Sequence, residues 1–104
     1  MTNKLRIIQH IFDDRDFDDV KLLAHRLVTY AGVVVLLATR TRYMARLAFA
    51  RSADLPVEIN TLLHSACERL GGRGGGTPDF AQGGGTRVAE LERALAEAAA
   101  ALAV

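Results

Sequence analysis

Apolar and polar positions along the chain switch between a two-residue and a three-to-four-residue period, and each switch marks an element. Leu5–Phe12 (LRIIQHIF) is short and rich in Ile and Phe, which predicts a strand ended by Asp13 and Asp14. Asp16, Asp18 and Asp19 then supply an N-cap and first-turn negative charge, and Val20, Leu23, Ala24, Leu27, Val28 and Ala31 recur on one helical face, predicting a helix over about 17–30. Gly32 stands where a helix closes with positive φ, and Val33–Ala38 is a β-branched apolar run suited to a strand buried on both faces. Thr39–Arg42 reads as a turn. Tyr43–Arg51 alternates Tyr43, Ala45, Leu47 and Phe49 with Met44, Arg46, Ala48 and Ala50, a third strand that hairpins with the second. Asp54-Leu55-Pro56 opens a second helix, with Pro in its first turn and a stripe of Ile59, Leu62, Leu63, Ala66, Cys67 and Leu70. Thr86 caps a third helix over 87–102, whose Val88, Leu91, Leu95, Ala98 and Leu102 form a narrow seam. With a short fourth strand at Asp79–Gln82, the order predicts a two-layer α/β domain with a mixed three- to four-stranded sheet and three helices.

Composition narrows the class. At 104 residues the chain is one domain, burying roughly 60–70% of its unfolded surface. A single Cys forms no internal disulfide, which predicts a reducing, cytoplasmic setting. His10, His25 and His64 are too dispersed to suggest zinc. No apolar run approaches the ~20 residues of a membrane span, and the N-terminus carries no secretion signal. Thirteen Lys+Arg against twelve Asp+Glu exclude a uniformly basic nucleic-acid coat. Yet Arg40, Arg42, Arg46, Arg51, Arg69 and Arg73 all fall between the second strand and the next segment, suggesting a local positive face.

That segment, Gly71–Gly85 (GGRGGGTPDFAQGGG), holds eight of the nine glycines. Ordering so many glycines costs entropy, so the segment needs positive φ or close backbone approach. Phe80 is out of place in a solvated linker. One reading is a backbone nest, in which successive N–H groups around Arg73–Gly76 converge on a phosphate while Arg73 adds charge. The segment matches neither the P-loop nor the dinucleotide fingerprint.

The run Gly71-Gly72-Arg73-Gly74-Gly75-Gly76-Thr77-Pro78-Asp79-Phe80-Ala81-Gln82-Gly83-Gly84, with a helix running into Gly-Gly before it, resembles the signature of the DHH-associated domain in its alanyl-tRNA form, over residues 5–104. Such domains end alanyl-tRNA synthetases and the longer alanyl-tRNA editing deacylases. In related DHH phosphoesterases a His stands where this chain has Thr77, and their Asp-His-His catalytic motif is absent here. The resemblance implies one domain, 1–104, from the C-terminus of a larger protein. It would bind tRNA or other single-stranded nucleic acid, with no catalytic residue, metal or cofactor of its own. A covalently linked catalytic domain would hold any zinc or other divalent metal. Together with the glycine argument it assigns nucleic-acid or phosphate binding to Gly72, Arg73, Gly74, Gly75, Gly76, Thr77, Pro78, Asp79, Gln82, Gly83 and Gly84, with Arg40 and Arg42. The alternative is the substrate-binding half of a DHH-type phosphoesterase acting on oligonucleotides or phosphoanhydrides.

Other candidate chemistry is thin. His64, with Glu68 at i+4, reads as a surface or packing residue, and Cys67 as a small buried hydrophobe. The acidic cluster at Asp13–Asp19 is explained by capping rather than metal binding. Tyr43, at a strand start, is expected half-buried rather than as a stacking surface for a base. The Leu91, Leu95, Ala98 and Leu102 seam is expected to pack on the domain's own sheet or to form a homodimer.

Overall fold

The structure, a computed structural model, describes residues 5–102. Five strands form one mixed sheet: β1 (Arg6–Asp13), β2 (Val33–Arg40), β3 (Ala45–Arg51), β4 (Arg73–Gly76) and β5 (Phe80–Gly85), in the spatial order β1-β2-β3-β5-β4. Only the β1–β2 pair is parallel. Helix α1 (Phe17–Leu27) covers one face, and α2 (Ile59–Arg69) and α3 (Leu91–Leu102) cover the other, so the mixed α/β fold has three layers where two were expected, because β2 and β3 are apolar on both faces.

Side-chain alternation divides the core between these faces. Leu36, Ala45, Leu47, Phe49 and Ala81 meet α2 and α3 in the larger cluster; Val35, Leu37, Ala48 and Ala50 meet Phe17, Val20 and Ala24 of α1 in the smaller. The expected double-sided burial of the second strand and its hairpin with the third are both observed. The seam of the last helix packs internally: Leu91, Leu95 and Ala98 are buried in the larger cluster, with Leu102 packed against it.

Several boundaries differ from the sequence reading. Helix α1 stops at Leu27, capped at its start by the Asp16 carboxylate, which accepts from the Asp18 N–H at 2.9 Å. Gly32 does have positive φ (71°), but it leads into β2 instead of closing α1, and its N–H donates to the Asp54 carboxylate at 3.1 Å. With Asp54 committed there, α2 starts at Ile59, whose N–H donates to the Pro78 carbonyl, so Pro56 lies outside the helix. Thr86 gives no side-chain cap: a 3₁₀ turn at Val88–Glu90 precedes α3.

The largest difference lies in the glycine segment, which is a hairpin, giving five strands where three to four were expected. Gly71 takes φ of 71° and closes α2: its N–H donates to the Glu68 carbonyl and that of Gly72 to the Cys67 carbonyl, a Schellman cap. After it the chain is extended. Gly74 and Gly83 lie directly beneath α2, where a Cβ at Gly74 would come within 2.7 Å of Leu63 Cδ2 and one at Gly83 within 2.7 Å of Cys67 Sγ. Close helix–sheet packing, not unusual φ, explains these glycines.

Candidate nucleic-acid interface

The β-strand geometry removes the nest. In β4 the N–H groups alternate in direction instead of converging. The Thr77 N–H donates to the Phe80 carbonyl at 2.8 Å, which fixes the phase: Gly75 and Arg73 bond to β5, while the N–H and C=O groups of Gly74 and Gly76 face the free edge of the sheet.

The register does assemble something the sequence did not display. Gly84 of β5 lies opposite Arg46 on one side and Arg73 on the other. The three share a face of the sheet with Gln82 and Gly75 one row further on. That is the α1 face, but α1 packs over β1–β3, and the rows Arg46–Gly84–Arg73 and Gln82–Gly75 remain open, with Arg46, Arg73, Gln82 and Gly75 all exposed. Two arginines two strand spacings apart, ~10 Å, therefore flank a glycine floor. The Arg46 guanidinium lies 4.2 Å above the Phe17 ring, which holds it at the border of the helix without neutralising it. Among the described residues neither arginine is in an ion pair.

The other arginines divide clearly. Arg40 points to the opposite face, bonded to Asp13 at 2.7 Å and 3.7 Å from Glu92; the Asp13 hydrogen bond, above all, raises its pKa. Arg69 links α2 to Glu97 and Glu90, which raise its pKa in the same way. Arg51 donates to the Val57 and Ser52 carbonyls. The structure thus does not bring Arg40 to the glycines. Arg42 lies in the turn between β2 and β3, at the end of the sheet where Arg46, Gly84 and Arg73 also lie. The Thr41 hydroxyl accepts from the Tyr43 and Met44 N–H groups and fixes this turn. Tyr43 is 74% exposed, not half-buried, because the strand begins two residues later, at Ala45.

The remaining assigned residues build the hairpin. Thr77 bonds the Asp79 carboxylate through its hydroxyl and closes the turn on Phe80; this bond, above all, holds the Asp79 carboxyl below the usual carboxylate range. A charged Asp79 is a poor neighbour for a phosphate. Pro78 anchors the start of α2, and Gly72 and Gly83 fit close backbone contacts. Phe80 packs on the α1 cluster, stacked 4.3 Å from His25, which accounts for an aromatic ring in a glycine-rich segment. Cys67 is buried, and burial pushes its thiol pKa up. The described residues contain no group of three His, Cys, Asp or Glu side chains that could hold a metal, so zinc has no ligand set among them. No helix among them is long and apolar enough to cross a membrane.

Arg46 was visible in the sequence only as one of six arginines, because its partnership with Gly84 depends on a register that the pattern did not specify.

Comparisons with known proteins agree with this architecture. An alanine–tRNA ligase of Leptospira interrogans is 38% identical over 95 residues, covering 88% of this chain and 10% of the ligase. The ligase of Acidothermus cellulolyticus is 41% identical over 91 residues, covering 83% and 10%. The chain spans about a tenth of the length of these relatives. The crystal structure of the C-Ala domain from Aquifex aeolicus alanyl-tRNA synthetase has the same fold, with a TM-score of 0.80 at 24% identity, covering 86% of this chain and 83% of that one. The DHHA1 domain family matches residues 5–104, all but the first four positions, and the chain belongs to it.

Proposed function

We propose that this chain is a tRNA-binding module of a protein related to alanine–tRNA ligases, holding RNA for a covalently linked catalytic domain. The observation that carries this reading is the open Arg46–Gly84–Arg73 row: two cations with no ion pair among the described residues flank a floor with no side chain, on a sheet face left uncovered by α1. A sugar–phosphate backbone laid along this row meets one guanidinium at each side, and the absent Cβ at Gly84 lets it approach the sheet. Gln82 offers a neutral amide to sugar or base, and Arg42 extends the positive charge to the end of the sheet. Tyr43, exposed on a rigid turn beside Arg42, gives a base an aromatic face to stack on. The names of the relatives support tRNA as the nucleic acid.

The test is a fluorescence-anisotropy titration of the chain with an alanine tRNA transcript, a single-stranded DNA of equal length and a mononucleotide. The transcript should bind most tightly. Arg73→Ala should weaken it and reduce the slope of log K against log salt by roughly one. Equal affinity for transcript and DNA, or an unchanged slope, would count against a tRNA-binding face here.

A further inference from the structure

On the far side of β4 from Arg73, between its free edge and the exposed flank of α2, lies a cleft of about 370 Å³. Its walls are Asn60, His64 and Ser65 of α2 and Gly74–Gly76 of β4. Three features of this cleft belong together. Gly76 presents both its N–H and its C=O to the free edge, a donor and an acceptor side by side with no side chain in front of them. The hydrogen bond from the Ile59 N–H to the Pro78 carbonyl pins the first turn of α2 to the hairpin, and Asn60 and Gly76 line the same cleft. Asn60 itself is incompletely satisfied: its Oδ1 is buried and has no hydrogen-bond partner among the described residues. An amide that lines a cleft with an unused acceptor gains a bond by turning toward a ligand that donates.

We propose that this cleft is a nucleobase subsite that selects adenine. The inference rests on the RNA-binding reading, with the backbone of the nucleotide crossing the β4 edge from the Arg73 side. The donor and acceptor pattern decides the base. Adenine N1 accepts from the Gly76 N–H while one N6 hydrogen donates to the Gly76 carbonyl. The second N6 hydrogen donates to Asn60 Oδ1, supplying the missing partner, and N7 accepts from Asn60 Nδ2, the bidentate pairing that asparagine makes with adenine. Hypoxanthine has the same shape but carries an oxygen at position 6, which sets an acceptor against both the Gly76 carbonyl and Asn60 Oδ1. The site should therefore reject it.

The experiment compares RNA hexamers UUAUUU, UUIUUU and UUUUUU on the 104-residue chain, reading affinity by titration and the Gly74 and Gly76 amide signals by NMR. UUAUUU should bind at least fivefold more tightly than UUIUUU, and should shift the Gly76 amide most. Asn60→Leu should cut the preference sharply, leaving only the part that the Gly76 backbone supplies. Asn60→Asp, close in shape, keeps the acceptor but loses the donor to N7, and should reduce the preference in a chain that remains folded. Equal binding of the adenosine and inosine hexamers, or a preference undiminished in both variants, would overturn the adenine site while leaving RNA binding through Arg46 and Arg73 intact. Failure of every hexamer and of tRNA to bind would overturn the RNA-binding reading and the adenine site together.

Discussion

Gly74 and Gly75 are neighbours in the chain, yet they answer to different constraints. A Cβ at Gly74 would come 2.7 Å from both the Gln82 carbonyl oxygen and Leu63 Cδ2, whereas one at Gly75 would meet nothing within 4 Å. Gly75 has no positive φ either. Gly74→Ala should therefore destabilise the fold by about 1–3 kcal/mol, as overpacking does. Gly75→Ala should be neutral or stabilising by up to about 1 kcal/mol, since it restricts mainly the unfolded chain. Urea denaturation of the two variants measures this; equal losses would mean that α2 does not press on β4 as described. A second residue-scale prediction concerns Asp54. Its carboxyl is held below the usual range by the Ser52 hydrogen bond first and then by the Gly32 N–H. A depressed carboxylate pKa contributes stability that is present above the unfolded value of about 3.9 and is lost as pH falls through the folded value. The advantage of the wild type over Asp54→Ala should be constant near neutrality and shrink below about pH 4. An advantage independent of pH would assign the role of Asp54 to something other than its charge.

Among the elements, those with a strong hydrophobic period were legible, and the short strand expected at Asp79–Gln82 is the first part of β5, whereas β4 was not legible. The double-sided run at Val33–Ala38 and the alternation at Ala45–Arg51 map directly onto β2 and β3. Helix α2 shows its stripe in the buried Ile59, Leu63, Ala66 and Cys67, but its start was set by the distant Pro78 carbonyl, which no local pattern reveals. Strand β4, the sequence Arg-Gly-Gly-Gly, has almost no β propensity of its own; it is extended because β5 supplies its hydrogen bonds and α2 presses on its face. The phosphate nest failed for the same reason, since a paired strand has no run of converging N–H groups. That a candidate site would centre on glycines beside Arg73 could be read from residues 71–85, but pairing Arg73 with Arg46 rather than Arg40 required the sheet register. Helix α3 gives the test at this scale. Leu95 is fully buried against the sheet and α2 side of the core, so Leu95→Ala should cost roughly 2–5 kcal/mol and Leu95→Asp more, read by thermal or urea unfolding. Unchanged stability would mean that α3 is not part of the domain's core.

At the scale of the whole molecule, a formal charge of +1 conceals a division of labour among the arginines. Arg40 and Arg69 spend their charge on Asp13, Glu90, Glu92 and Glu97 and tie α3 to the strands and to α2. Arg46 and Arg73 hold theirs on one open face at one end of the sheet. On the proposed RNA-binding reading, electrostatic attraction for RNA depends on which arginines are present rather than on how many. The most direct measurement compares tRNA binding, as a function of salt, for two charge-matched double variants whose folding has been verified: Arg46→Gln with Arg73→Gln, and Arg40→Gln with Arg69→Gln. Both lower the net charge by the same amount. The first pair should weaken binding at least tenfold and reduce the salt slope by roughly two units, one for each phosphate no longer neutralised, while the second leaves the slope within about half a unit of wild type. Equal weakening by the two pairs, or a larger effect of the second, would contradict the account and show that RNA is held elsewhere or by net charge alone.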